Sequence, residues 1–327
     1  MRTTLILSAA LLLACGGEDK DREPVDTSLP TTGSTTTAPT GTGTTPTDTG
    51  TDPTSGPFEF PDFVQRVASG DKHSCWIQGD GTIACWGDEA SGKLNAPAGT
   101  FVQISAGGEH SCAISEAGDL SCWGSNSVGQ TDAPEAGPYA QVSVGGKHSC
   151  AIDMGGALSC WGDDDKGQAT APPGTYTYVS AGFEHTCAID ETTGDPLCWG
   201  DNVFGQASPP PDPDGNTVYV VVAAGGFHSC GLTNQNEAEC WGAADAGQTT
   251  PPGFTGFLRV DCGAFHSCAI RNDANIECFG NDQSGQSDPP AGQFEQLSTG
   301  FEHGCAISTA GRIECWGSNE FNQALPL

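Results

Sequence analysis

A unit of about 38 residues recurs seven times along this chain, and no other feature restricts its fold so strongly. Seven histidines mark the copies: His73, His110, His148, His185, His228, His266 and His303. Three residues before each stands a glycine, from Gly70 and Gly107 to Gly300. Six before stands an aliphatic residue, as at Val67, Ile104 and Val260, and nine before an aromatic one, with Val64 in its place in the first copy. Two residues after each histidine comes a cysteine, and a second follows about ten residues later. Self-similarity at this period means a stacked solenoid or a propeller.

The second copy shows which. Its sequence predicts strands over 101–106, 110–115 and 119–124. Cys112 and Cys122 are symmetric about Ala117, which places the three-residue loop 116–118 at a hairpin tip, with glycine at the left-handed third position. Ile114 then faces Leu120 on the cysteine side, while Ala113 and Trp123 point the other way. Both faces are apolar, which suits a blade held between two neighbours and not a sheet wetted on one side. After the hairpin come Trp and Gly, with Phe279 in place of Trp in one copy. A turn ending in Gln follows, with Lys93 in place of Gln in the first copy.

The pattern G-x-x-H-S-C-A-I, G-x-L-x-C-W-G and N-x-x-G-Q resembles the repeat of the regulator of chromosome condensation family, over residues 64 to about 327. The resemblance implies an all-β, seven-bladed β-propeller. Units this short are similar to a secreted bacterial branch with three-stranded blades, which includes a propeller-type β-lactamase inhibitory protein. The paired cysteines depart from the family pattern.

The N-terminus gives these cysteines their setting. Arg2, then a short apolar run at 5–13, then Leu-Leu-Ala-Cys15 resembles a lipoprotein signal, too short to span a bilayer. Residues 1–15 are expected to be that signal, with Cys15 acylated and the protein tethered to the bacterial cell envelope, at the outer membrane or cell surface. Residues 16–57, rich in Thr, Gly, Pro and Asp, are expected to form a disordered tether reaching roughly 35–40 Å. Residues 58–327 are expected to form the propeller. In an oxidising compartment the cysteines pair within each copy. The expected bonds are Cys75–Cys85, Cys112–Cys122, Cys150–Cys160, Cys187–Cys198, Cys230–Cys240, Cys268–Cys278 and Cys305–Cys315. Zinc would need four ligands where each copy offers three. Cys262 is left over as a buried small residue. The histidines are read as structural, bonding loop backbone near the glycine.

Function is less constrained. The formal net charge of −30, from 11 basic against 41 acidic residues, argues against nucleic acid and anionic membranes as partners. No nucleophile and base, and no carboxylate pair, breaks the repeat, so no catalytic residue and no cofactor is assigned. The turns after Trp-Gly vary most and carry the candidate binding residues Asp164, Phe204 and Asp282. Their carboxylates suit Asx-type turns, with Ca²⁺ binding the rival use. The expectation is a monomeric, non-catalytic scaffold for a surface protein or glycan. Inhibition of a secreted or periplasmic enzyme and an extracellular lyase or hydrolase are the alternatives.

Overall fold

The computed structural model describes residues 64–326, apart from 136, 212–214 and 254. The signal, Cys15 and the tether lie outside the described residues. Within them the chain forms seven separate three-stranded antiparallel sheets, each in sequence order. The second blade is Phe101–Ala106, His110–Ser115 and Leu120–Gly124, within one residue of the expected strands. Cys112 lies directly opposite Cys122 and Ile114 opposite Leu120, as the symmetry about Ala117 requires. The tip glycine, Gly118, has φ 84°. All seven intra-blade disulfides are present, with Cα separations of 4.0–4.1 Å.

Blades stack through their apolar faces. The cysteine and isoleucine of one blade pack against the aromatic, the aliphatic and the alanine of the next. Thus Cys75 and Ile77 meet Phe101, Ile104 and Ala113, and Cys112 and Ile114 meet Tyr139, Val142 and Ala151. The last seam uses the same logic, with Cys305 and Ile307 against Val67 and Trp86. The ring is therefore closed, and neither terminal blade leaves a bare face.

The first strands of all seven blades line a central channel. These strands are sheet edges, and their N–H groups need acceptors. Side chains of the preceding blade supply many of them, and at the first seam the Gln65 carbonyl accepts from Ile104 N at 2.9 Å. Gln103 Oε1 accepts from Val142 N at 2.9 Å and Gln141 Oε1 from Val179 N at 2.9 Å. Ser105 Oγ accepts from Val144 N at 3.0 Å and Ser143 Oγ from Ala181 N at 2.9 Å. At the closing seam Gln296 Oε1 accepts from Arg66 N at 2.7 Å, and Ser298 Oγ from Ser69 N at 2.9 Å.

The glycine before each histidine serves a close approach. A Cβ on Gly70 would collide with the Gly107 carbonyl and the ring of His73, and a Cβ on Gly300 with the Gly70 carbonyl and His303. The seven glycines thus form a closed belt at one end of the channel, each against the next blade's backbone. Asp71 N donates to the Gly107 carbonyl at 3.0 Å, and Phe301 N closes the belt onto Gly70 at 3.1 Å.

Candidate functional site

The histidines are the residues of the repeat whose chemistry most resembles that of a functional site. All seven are fully buried. The sequence reading pointed them at loop backbone, but the structure gives their side chains a different partner. His110 Nε2 lies 2.8 Å from Ser149 Oγ, one blade on. Ser149 Oγ donates to the Gln130 carbonyl at 3.1 Å, and Trp161 Nε1 donates to that same carbonyl at 2.9 Å. The hydroxyl proton is committed to the carbonyl, so Nε2 must carry the imidazole proton. The relay joins histidine and glutamine of one blade to serine and tryptophan of the next. It closes the ring too: His303 to Ser74 at 2.8 Å, Ser74 to the Gln323 carbonyl at 3.0 Å, and Trp86 to that carbonyl at 2.8 Å.

Burial pushes the histidines well below their ordinary range, to about 3 for His110 and about 4 for His148. They are neutral at physiological pH and committed to inter-blade bonding. The relay is interrupted at one place. His266 faces Gly304 instead of a serine, and its Nε2 has no partner among the described residues. The Trp316 ring occupies the space where a side chain at 304 would sit.

His228, Cys230 and Cys262 come within 4.8 Å of one another. Cys230 is already bonded to Cys240, and His228 Nε2 is 2.7 Å from Ser267 Oγ. The trio is one ligand where four are needed. Burial raises the Cys262 thiol, so it stays protonated and inert.

One group does break the repeat, and the sequence reading missed it. Seven residues before the histidine, where Gln103, Gln141 and Gln296 bridge blades, stand Tyr178 and Arg259. Five before it, where serine is the rule, stands Asp261. All three line the channel. Asp261 accepts from Cys262 N at 3.0 Å with one oxygen and from Thr299 N at 2.7 Å with the other. Burial lifts its carboxyl to about 6. Tyr178 packs against Val221, Ala223 and their neighbours. Aligning the copies at these two positions would have revealed the group. The channel it lines holds about 190 Å³, below the ~300 Å³ at which small-molecule pockets begin.

The opposite case is the face around the glycine belt. The strand register puts His185 opposite Gly200, so the Gly-x-x-His loop and the turn after Trp-Gly emerge at the same end of every blade. Asp164, Phe204 and Asp282 are all exposed there. Asp164 Oδ1 accepts from Ala169 N at 2.8 Å, and Asp282 Oδ1 from Ser287 N at 2.9 Å. Asn202 does the same with Ala207 N at 2.9 Å, so both aspartates build their turns in the Asx manner. The glutamine that ends each turn closes it from the other side: Gln206 Oε1 accepts from Phe204 N at 2.9 Å. Lys93 cannot accept such a bond. The first turn instead coils into a 3-10 segment, Ala90–Gly92, and Lys93, fully buried, pairs with Asp88 at 2.9 Å and Glu109 at 3.4 Å.

Phe204 is different. Its ring is 50% exposed and meets Phe227 edge-on at 5.6 Å. Phe227 belongs to a group from the Gly-x-x-His loops of blades 4 to 7: Phe183, Phe227, Phe265 and Phe301. Their centroids form a closed circuit, 183 to 227 at 6.4 Å, 227 to 265 at 5.1 Å, 265 to 301 at 6.1 Å and 301 to 183 at 6.3 Å. Phe183 and Phe301 also line the channel mouth.

Comparison with known proteins agrees with this architecture. The Regulator of chromosome condensation (RCC1) repeat matches residues 101–130, 139–168, 176–206, 219–248, 258–286 and 294–323. The first copy, with Val64 and Lys93 at two framework positions, is outside the match. No curated protein sequence matches the chain. Among solved structures it is similar to the ectodomain of the receptor kinase CR4 from Physcomitrella patens, at 25% identity and TM-score 0.68, covering 78% of this chain and 73% of that one. The CRINKLY WD40 ectodomain of the receptor kinase ACR4 from Arabidopsis thaliana is 25% identical with TM-score 0.67, covering 80% and 98%. Prp20p from Saccharomyces cerevisiae, described with its binding to Gsp1p and histones, shares the fold at 18% identity and TM-score 0.61, covering 72% and 80%. With six repeats matched over more than half of its length, the chain belongs to the regulator of chromosome condensation (RCC1) repeat family.

Proposed function

We propose that this protein is a non-catalytic binding module of the bacterial cell envelope, anchored through acylated Cys15 and engaging a protein through the glycine-belt face. The observation that carries this reading is the division of labour within each copy. Histidine, serine and tryptophan are consumed by blade-to-blade bonding and cysteine by the disulfide within each blade, while the variable turns and the partly exposed phenylalanine group all emerge at one end. Exposed aromatic patches of this kind mark interaction sites on soluble proteins. A protein partner is in keeping with Prp20p, a propeller of the same fold described as binding Gsp1p and histones. Inhibition of a secreted enzyme is one form the same contact could take.

The test is capture of partners from envelope and extracellular fractions with wild-type protein and with Asp164→Asn, Phe204→Ser and Asp282→Asn variants. Asparagine preserves the turn, as Asn202 shows, so the two aspartate changes remove charge without removing architecture, and Phe204→Ser removes the exposed ring. Loss of captured partners in the variants supports the reading. Partners retained by all three, yet lost on replacing the channel residue Gln141, would overturn it. Turnover of any substrate by the partner-free protein would do the same.

A further inference from the structure

We infer that the phenylalanine half of this face docks an apolar protein segment carrying Lys or Arg side chains. The inference rests on the binding-module reading above and adds the chemistry of the partner. Its first support is the uneven distribution of charge around the five rings. The lysines of this face, Lys72, Lys93, Lys147 and Lys166, belong to blades 1 and 3. In blades 5 to 7 the corresponding loops and turns, 225–227, 242–248, 263–265, 280–286, 300–302 and 317–323, contain no Lys or Arg at all. They carry Asp245, Asp282, Glu302 and Glu320, and Glu184 flanks Phe183 in blade 4, while Asp201 is already engaged by Lys166 at 3.9 Å and Gln206 at 2.6 Å. The patch is therefore apolar in the middle and anionic at the edge.

That combination selects a partner. Aromatic ring faces attract cations, and neighbouring carboxylates strengthen the attraction and steer approach. The protein already contains one such contact on this face, with Lys72 Nζ 4.9 Å from the centroid of Phe321. A purely charged ligand would leave the rings unused, and a purely apolar one would leave the carboxylates unused. The ring planes meet at 31–85°, so they do not make the flat platform on which a sugar stacks. The carboxylate border repels an anionic bilayer. A chain segment that inserts a leucine or phenylalanine and lays Lys or Arg on the border uses both features.

The experiment uses the full chain bearing Cys15→Ser and three labelled peptides, read by fluorescence anisotropy. One combines Lys with Leu and Phe, one has Glu for every Lys, and one has Ser for every Leu and Phe. Each is titrated against wild type, Phe183→Ser/Phe204→Ser and Asp282→Asn/Glu302→Gln. The aromatic variant keeps the net charge, so it separates the patch from general attraction to an acidic protein. The result expected is binding of the Lys-Leu-Phe peptide at least about tenfold tighter than either control. It should weaken about tenfold in each variant and further with added salt. Equal binding by the aromatic variant, or equal binding of the Glu peptide, overturns the inference. So does phenylalanine-dependent binding of zwitterionic phospholipid vesicles or of hexose oligosaccharides without binding of the peptide. Capture of an envelope partner through Phe204 while the Lys-Leu-Phe peptide fails would defeat this inference alone and leave the binding-module reading standing.

Discussion

Single residues decide how tightly neighbouring blades meet and how the ring responds to pH. Gly145 sits between the Gly182 carbonyl and the imidazole of His148, and a Cβ there would strike both. Backbone on one side and a fully buried ring on the other leave no route for relaxation. Gly145→Ala should lower the unfolding free energy by about 1–3 kcal/mol, the usual range for overpacking, as a shift in denaturant midpoint. Asp261 supplies a second test. Its carboxyl lies at about 6 in the folded protein against an ordinary 3.8. The folded state therefore favours the protonated form. This stabilisation is complete below about pH 3.8 and is lost as pH rises through about 6, for a total of up to about 3 kcal/mol. The histidines act in the opposite direction. Held at about 3 to 4 against 6.5, they stabilise the ring above about pH 6.5 and withdraw that support as pH falls. Wild type should unfold in acid, with the histidines dominant. The difference between wild type and Asp261→Ser isolates the carboxylate. Wild type minus variant should fall between pH 4 and pH 6, and a flat difference would contradict the burial argument.

At the scale of the blade, the hairpin is fixed by its own symmetry and by one covalent bond. Removing a ten-residue disulfide loop costs roughly 2–3 kcal/mol in the chain-entropy treatment. The Cys150→Ser/Cys160→Ser variant should remain folded, held by six other disulfides and two intact seams, with its unfolding free energy lowered by that amount. Equilibrium denaturation checks this. This level was the most legible in the sequence. Alternation about Ala117 gave strand limits, register and disulfide partners, because a hairpin's face assignments follow from spacing alone. The contacts between blades were less legible. That Ser149 receives His110 depends on which residues meet across a seam some 39 positions apart, and no local spacing encodes this. The bridging role of Gln103 and Gln141 was hidden for the same reason. With it went the meaning of Tyr178, Arg259 and Asp261, which stand out only when the position has a known task. The phenylalanine circuit escaped notice because its members alternate between two positions, two before the histidine in blades 4 and 7 and one before it in blades 5 and 6. They converge only once the ring is closed.

For the whole molecule, closure creates two unlike ends. One carries the glycine belt, the Asx-closed turns and the phenylalanine group; the other carries the hairpin tips, with Glu116 and Met154 exposed. The central claim is that the first end binds and the second does not. It is tested most directly by placing a photo-crosslinking amino acid at 183, 204, 116 or 154, one position at a time, in cells that make the full chain. The account predicts adducts of one defined mass from positions 183 and 204 and none from 116 and 154. Adducts confined to 116 and 154, or formed equally at both ends, would contradict it.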